Sequence, residues 1–224
     1  MCLLRRGSRL ANLRRLELAG PMPFSVSAFD QHVAALIERM RPKSILDIGP
    51  GAGKYGKIVK ALRESGVDLP FSVALEVDPS YIEAFKLNEI YDSVQLGDAS
   101  SLPDIGADAQ WDLVILGDVL EHFRKSRGVD LVDYLYYRTK YIILVIPVDY
   151  IQGAWQGHDS EAHLSTWYPE DFARYKASCF SSGPGEIEIQ LVLINGLRAD
   201  PASDFVFARD LHMAGLLDTG SAPL

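Results

Sequence analysis

Between an apolar tetrad, Ile45-Leu46-Asp47-Ile48, and the amphipathic run that begins at Lys54, the chain places Gly49, Gly51, Gly53 and, one helical turn on, Gly56. A strand that breaks into glycines and resumes as a helix is the sharp turn of a βαβ unit, because glycine permits positive φ and lets a ligand approach the backbone closely. Read from Gly51, the spacing is Gly-x-Gly-x-x-Gly, and Glu76 follows Gly56 by 20 residues, where a dinucleotide site is expected to carry its ribose-binding acid. Asp47 pulls the other way. A carboxylate at the strand end would repel a pyrophosphate on the helix N-terminus, whereas it would attract a cationic ligand.

The rest of the chain continues the alternation that this turn begins. Apolar periodicity predicts a helix over 30–40, with Val33, Leu36, Ile37 and Met40 on one face and Pro42 ending it. Strands are expected over 44–48, 71–76, 93–96, 111–116 and 141–146, and helices over 54–65, 79–88 and 129–138. Strands separated by helices imply right-handed crossovers and a sheet covered on both faces, with ligands at the carboxyl ends of the strands. Past Pro147 the rhythm changes. A long loop over 148–167 and a helix over 169–177 lead to two strand-like runs joined near 181–185, the second over 187–194, which read as an antiparallel hairpin. Long loops without their own structure are usually functional, so 148–167 is the natural lid or acceptor-binding region.

Composition bounds the chemistry. With 224 residues, 48% hydrophobic and 23% charged, the chain suits one α/β domain with a full core. A net charge of −8 argues against a broad nucleic-acid surface. Two cysteines, Cys2 and Cys179, exclude a disulfide framework and fit a cytoplasmic setting. No apolar run reaches the length of a membrane span. Residues 1–20 stand apart from the domain expected over 21–224. Arg5, Arg6, Arg9, Arg14 and Arg15 face a single acid, Glu17, and read as a loosely ordered basic extension, with peripheral contact to anionic lipid or a partner as the alternative.

Read from Asp47, the turn is Asp-x-Gly-x-Gly-x-Gly and resembles the first motif of class I S-adenosylmethionine-dependent methyltransferases. The resemblance covers roughly 44–177 and extends to three further segments. Glu76, in Ala74-Leu75-Glu76-Val77-Asp78-Pro79, is similar to the family's ribose-binding acid; Asp78 competes for that role but suits the cap of the helix opened by Pro79. Gly97-Asp98-Ala99 resembles the adenine-binding motif, with a turn or cap at Asp98 as the plain alternative. Asp118-Val119-Leu120-Glu121-His122-Phe123, after an apolar strand, resembles the small-molecule methyltransferases. The resemblance implies a Rossmann-like fold, S-adenosylmethionine as cofactor, and Asp47, Gly49, Gly51, Gly53, Glu76, Asp98, Ala99 and Asp118 as its binding residues.

His122, His158 and His163 are then the candidate bases for a hydroxyl acceptor, with local stabilisation as the alternative for Glu121 and His122. The loop segment Trp155-Gln156-Gly157-His158 favours a sugar or another polar metabolite, and no Asn-Pro-Pro-Tyr-type motif points to amide or base methylation. His158, Asp159, Glu161 and His163 have no spacing expected of a metal site, so no metal is expected. Two other readings stand beside methyl transfer: a nicotinamide-dependent oxidoreductase using the literal Gly-x-Gly-x-x-Gly, and a catalytically silent cofactor-binding domain.

Overall fold

A computed structural model describes residues 27–102, 109–154, 161–183 and 187–201. The basic extension, with its five arginines, lies outside the described residues, as do Trp155, Gln156, Gly157, His158 and Asp159. Helix α1 (Asp30–Met40) precedes β1 (Ile45–Ile48), α2 (Lys54–Glu64), β2 (Ser72–Glu76), α3 (Pro79–Ala84), β3 (Ser93–Leu96), β4 (Trp111–Gly117), α4 (Lys125–Arg138), β5 (Thr139–Val148), β6 (Lys176–Ser181) and β7 (Glu188–Asn195).

Among the described residues these strands form one seven-stranded sheet in the order β3-β2-β1-β4-β5-β7-β6. The pairs from β3 to β5 are parallel, while β7 runs antiparallel to both β5 and β6. The protein is therefore a doubly wound, mostly parallel α/β sheet with a C-terminal antiparallel hairpin, as the alternation and the hairpin signal predict. A dinucleotide-binding sheet in the order 3-2-1-4-5-6 has no antiparallel strand between its fifth and sixth positions.

Alternate residues of each central strand feed separate halves of the core, as the pleat requires. Leu46, Ile48, Val114, Leu116, Ile142, Leu144 and Ile146 pack towards α4 through Leu131 and Leu135. Ile45, Leu113, Ile115, Ile143 and Val145 pack towards α1 and α2 through Val33, Ile37 and Val59. Both faces being covered explains why these strands read as continuous apolar runs rather than alternating ones.

Several boundaries differ from the sequence expectation, each for a visible reason. The helix expected over 79–88 stops at Ala84, because Lys86 takes a left-handed conformation (φ 53°) and the chain restarts as a one-turn 3-10 helix, Leu87–Glu89. The helix expected over 169–177 is only a one-turn 3-10 helix, Pro169–Phe172. From Lys176 the backbone instead pairs with β7, so sheet closure outweighs local helical pattern there. β5 runs past Pro147. The Val145 carbonyl faces β4, accepting from Asp118 N–H at 2.8 Å, so the period of two turns the Pro147 nitrogen to that same side. β4 has already ended there, and no ladder bond is lost.

Candidate functional site

The carboxyl ends of β1, β2 and β4 lie side by side at one end of the sheet, and the glycine turn follows β1 there. Gly49, Gly51 and Gly53 all have positive φ, at 63°, 50° and 74°. Gly49 is doubly constrained, since a Cβ there would stand 2.7 Å from Val119 Cγ2. Its N–H donates to the Leu75 carbonyl at 2.9 Å, which ties the turn to β2. Gly53 is the N-cap of α2, so the following helix opens directly from the left-handed turn.

Asp47 lies beneath this turn and is 1% exposed. One carboxylate oxygen accepts from the Tyr91 hydroxyl, while Oδ1 is buried without a hydrogen-bond partner. Burial pushes the carboxyl up to about 7, against the Tyr91 hydrogen bond, which lowers it; the Glu76 charge raises it further and Lys54 lowers it. Sequence reasoning missed Tyr91. Its hydroxyl accepts from Gly56 N–H at 3.1 Å while donating to Asp47. Its ring fills the space a side chain at residue 56 would need, with Cζ 2.4 Å from a Cβ built there. The third glycine of the motif therefore serves helix packing. Its need for a large partner was a usable signal, but nothing in the sequence named which residue supplies it.

Glu76 ends β2, buried, and its Oε1 accepts from Asp78 N–H at 2.8 Å. Burial raises its carboxyl above the usual range, opposed by the N–H groups of Asp78, Val77 and Gly51. This acid is thus tied to the same glycine turn as Asp47. Asp78 caps α3 by accepting from Ser80 N–H at 2.8 Å, which leaves the strand-end position to Glu76. Asp98 is exposed and caps a 3-10 turn through Ser100 N–H, also at 2.8 Å, with Ala99 buried beside it. Val77 and Leu96, at the ends of β2 and β3, are 53% and 60% exposed and present apolar surface near these acids.

Across from the turn, β4 leads into Asp118, which adopts a positive φ of 54°, and then a one-turn 3-10 helix, Leu120–His122. Glu121 is 1% exposed, and neither of its carboxylate oxygens has a hydrogen-bond partner. Burial, and secondarily the charge of Asp118, holds its carboxyl well above the usual range. The described parts of the long loop fold back onto this point. Leu164 and Ser165 N–H donate to the Glu121 carbonyl at 2.7 and 3.1 Å, and His163 N–H donates to the Gln152 carbonyl at 2.9 Å. The Tyr81 hydroxyl donates to Glu161 at 3.0 Å, joining the loop to α3.

The loop brings His163 against His122, with ring centroids 4.9 Å apart and edge to face. Burial lowers both imidazoles below the ordinary histidine range. Trp167 is core: it is 1% exposed and stacks on Phe172, and Lys125 Nζ lies 4.0 Å above its ring. Glu121, His122 and His163 form a cluster whose ligand atoms all lie within 4.8 Å of one another. It differs from the His158, Asp159, Glu161 and His163 set weighed on sequence: Glu121 and His122 are adjacent, and His163 lies some forty residues further along the chain.

No protein-family model matches this sequence, and no curated protein sequence matches it either. Solved structures do resemble it. The methyltransferase domain of bacterial CtHen1 is 14% identical, with 75% of this chain and 98% of that one covered and a TM-score of 0.55. The N-terminal domain of EvdMO1, solved in the presence of SAH and D-fucose, is 12% identical over 75% of this chain and 82% of that one, also at 0.55. The small RNA methyltransferase HEN1 is 16% identical over 84% of this chain and 27% of that one, at 0.58. At these identities the likeness establishes the fold, a Rossmann-like one that these methyltransferases share. No helix among the described residues is long and apolar enough to cross a membrane.

Proposed function

We propose that this chain binds S-adenosylmethionine at the carboxyl ends of β1, β2 and β4 and transfers its methyl group to a hydroxyl of a small polar acceptor, in the first instance a sugar. The observation that carries the reading is Asp47, buried beneath a turn of left-handed glycines. The ammonium and sulfonium of S-adenosylmethionine would draw this carboxyl, which sits near 7, into its charged form, whereas a pyrophosphate would hold it neutral and gain no attraction from it. Being sealed, Asp47 acts through its field, while the glycine backbone makes the contact. Glu76 accepts from the ribose hydroxyls, as an acceptor-only group suits. Asp98, with Ala99 beside it, serves the adenine edge, and the exposed side chains of Val77 and Leu96 suit its apolar faces. Asp118 closes the methionine side.

Transfer is an in-line displacement. The acceptor oxygen bonds to the methyl carbon as the carbon–sulfur bond breaks, its electron pair passing to sulfur. The sulfonium makes the methyl electrophilic, so positioning and exclusion of water do most of the work. The hydroxyl proton must also leave, and His122 and His163 stand where the loop meets the β4 end; His158, outside the described residues, is the third candidate on sequence. The sugar preference rests on the Trp155-Gln156-Gly157-His158 segment and on the structural neighbour solved with SAH and D-fucose. The acidic charge of the chain weighs against RNA.

The test supplies methyl-labelled S-adenosylmethionine with panels of monosaccharides, other hydroxyl metabolites and short RNA. Label is expected on a sugar or metabolite hydroxyl, reduced in His122→Ala and His163→Ala. Label on RNA alone would replace the acceptor class. Unimpaired transfer in His122→Ala, His158→Ala and His163→Ala would remove the imidazoles from the step.

A further inference from the structure

We propose that Glu121, His122 and His163, brought together beyond the carboxyl end of β4, bind a divalent transition-metal ion. Their ligand atoms lie within 4.8 Å of one another, close enough to share one ion. Each imidazole is already oriented for it. His122 Nδ1 lies 3.3 Å from the Ala162 carbonyl and His163 Nδ1 lies 3.0 Å from the Tyr150 carbonyl. A carbonyl only accepts, so both Nδ1 atoms carry the proton and the Nε2 lone pairs are the ones left to coordinate. The Asp118 carbonyl is a second hydrogen-bond acceptor beside the His122 ring.

Glu121 supplies the independent observation. It is 1% exposed, both carboxylate oxygens lack a hydrogen bond, and the one other charge acting on it is Asp118, of like sign. Buried carboxylates are paired, hydrogen-bonded or bound to metal. Here only its own backbone N–H lowers the carboxyl, no cation among the described residues balances it, and a dication would neutralise both acids. Two imidazoles and one carboxylate favour Mn²⁺, Fe²⁺, Co²⁺ or Zn²⁺ over Ca²⁺ or Mg²⁺. Three protein ligands leave coordination positions open, the pattern of a catalytic rather than a structural site.

The catalytic consequence rests on the methyl-transfer reading, whereas the ion binding itself does not. An acceptor hydroxyl taken into an open position loses its proton more readily. His122 and His163 would then act through the ion rather than as free bases. Sequence spacing gives no sign of this set, because the loop delivers His163 from forty residues away.

The experiment strips the full chain with EDTA and titrates it with Mn²⁺, then separately with Zn²⁺, by calorimetry. One ion per chain is expected, weakened at least tenfold in Glu121→Gln and His163→Ala, with S-adenosylhomocysteine affinity within twofold of wild type. The wild type also gives a readout free of variant folding: substoichiometric Mn²⁺ should broaden the ring proton resonances of His122 and His163 before those of His32. Failure of wild type to bind either ion, equal affinity in the variants, or broadening that spares His122 and His163 would each overturn the site. Ion binding without S-adenosylhomocysteine binding would keep the site and defeat the methyl-transfer reading.

Discussion

The glycine turn and the Glu121 cluster follow the carboxyl ends of the neighbouring parallel strands β1 and β4 but are built by opposite means. At the turn, backbone does the work: positive-φ glycines, a strand-end acid tied to them, and a Tyr91 hydroxyl that joins Gly56 N–H to Asp47. At the cluster, side chains do it, and a long loop must fold back to deliver His163 beside a carboxylate that finds no donor. The turn is assembled from backbone local in sequence, whereas the cluster depends on side chains brought together from distant segments. Changes on one side should therefore leave the other side's binding intact.

The largest expected effect lies beneath the turn. Because the folded carboxyl of Asp47 sits near 7 rather than at 3.8, the native state holds the proton that the unfolded state has released. Stability of the ligand-free chain should fall as pH rises through about 4 to 7 and level off above that. Three units correspond to at most about 4 kcal/mol. Asp47→Asn should flatten the profile and stabilise the free protein at pH 8 while weakening S-adenosylhomocysteine. Denaturant titrations across pH provide the check, and an unchanged slope in the variant would show that Asp47 does not titrate in this window.

Next comes Glu76→Ala, which removes acceptors for two hydroxyls and should weaken S-adenosylhomocysteine about 100-fold, at roughly 1.5 kcal/mol for each charge-assisted bond. Mn²⁺ binding should be unaffected; loss of both would break the proposed independence of the two sides. Gly56→Ala forces a Cβ into the Tyr91 ring and should lower stability by about 1–3 kcal/mol, read as a shift of several degrees in melting temperature. Smallest is Tyr91→Phe, which removes one bridging hydroxyl. A loss of about 1 kcal/mol is expected, with the Asp47 carboxyl pushed further up because a lowering hydrogen bond is gone.

The same asymmetry governs what could be read from the sequence. Strand and helix order, the hairpin and the glycine turn were legible because each depends on residues close in sequence. Asp78 reads as a helix cap and behaves as one. The helices expected over 79–88 and 169–177 were overextended, since Lys86 takes a left-handed conformation and Lys176 pairs with β7. Neither event leaves a local mark. Tyr91 and the Glu121, His122 and His163 convergence were invisible for the same reason: their contacts bridge about 35 and 40 residues, and no motif records them.

The central claim, that the glycine turn serves S-adenosylmethionine rather than a dinucleotide, meets its most direct test in calorimetry of the full chain against S-adenosylhomocysteine and NADH under identical conditions. Saturable one-to-one binding of S-adenosylhomocysteine with no heat from NADH is the predicted result. Tight NADH binding with no response to S-adenosylhomocysteine would contradict it.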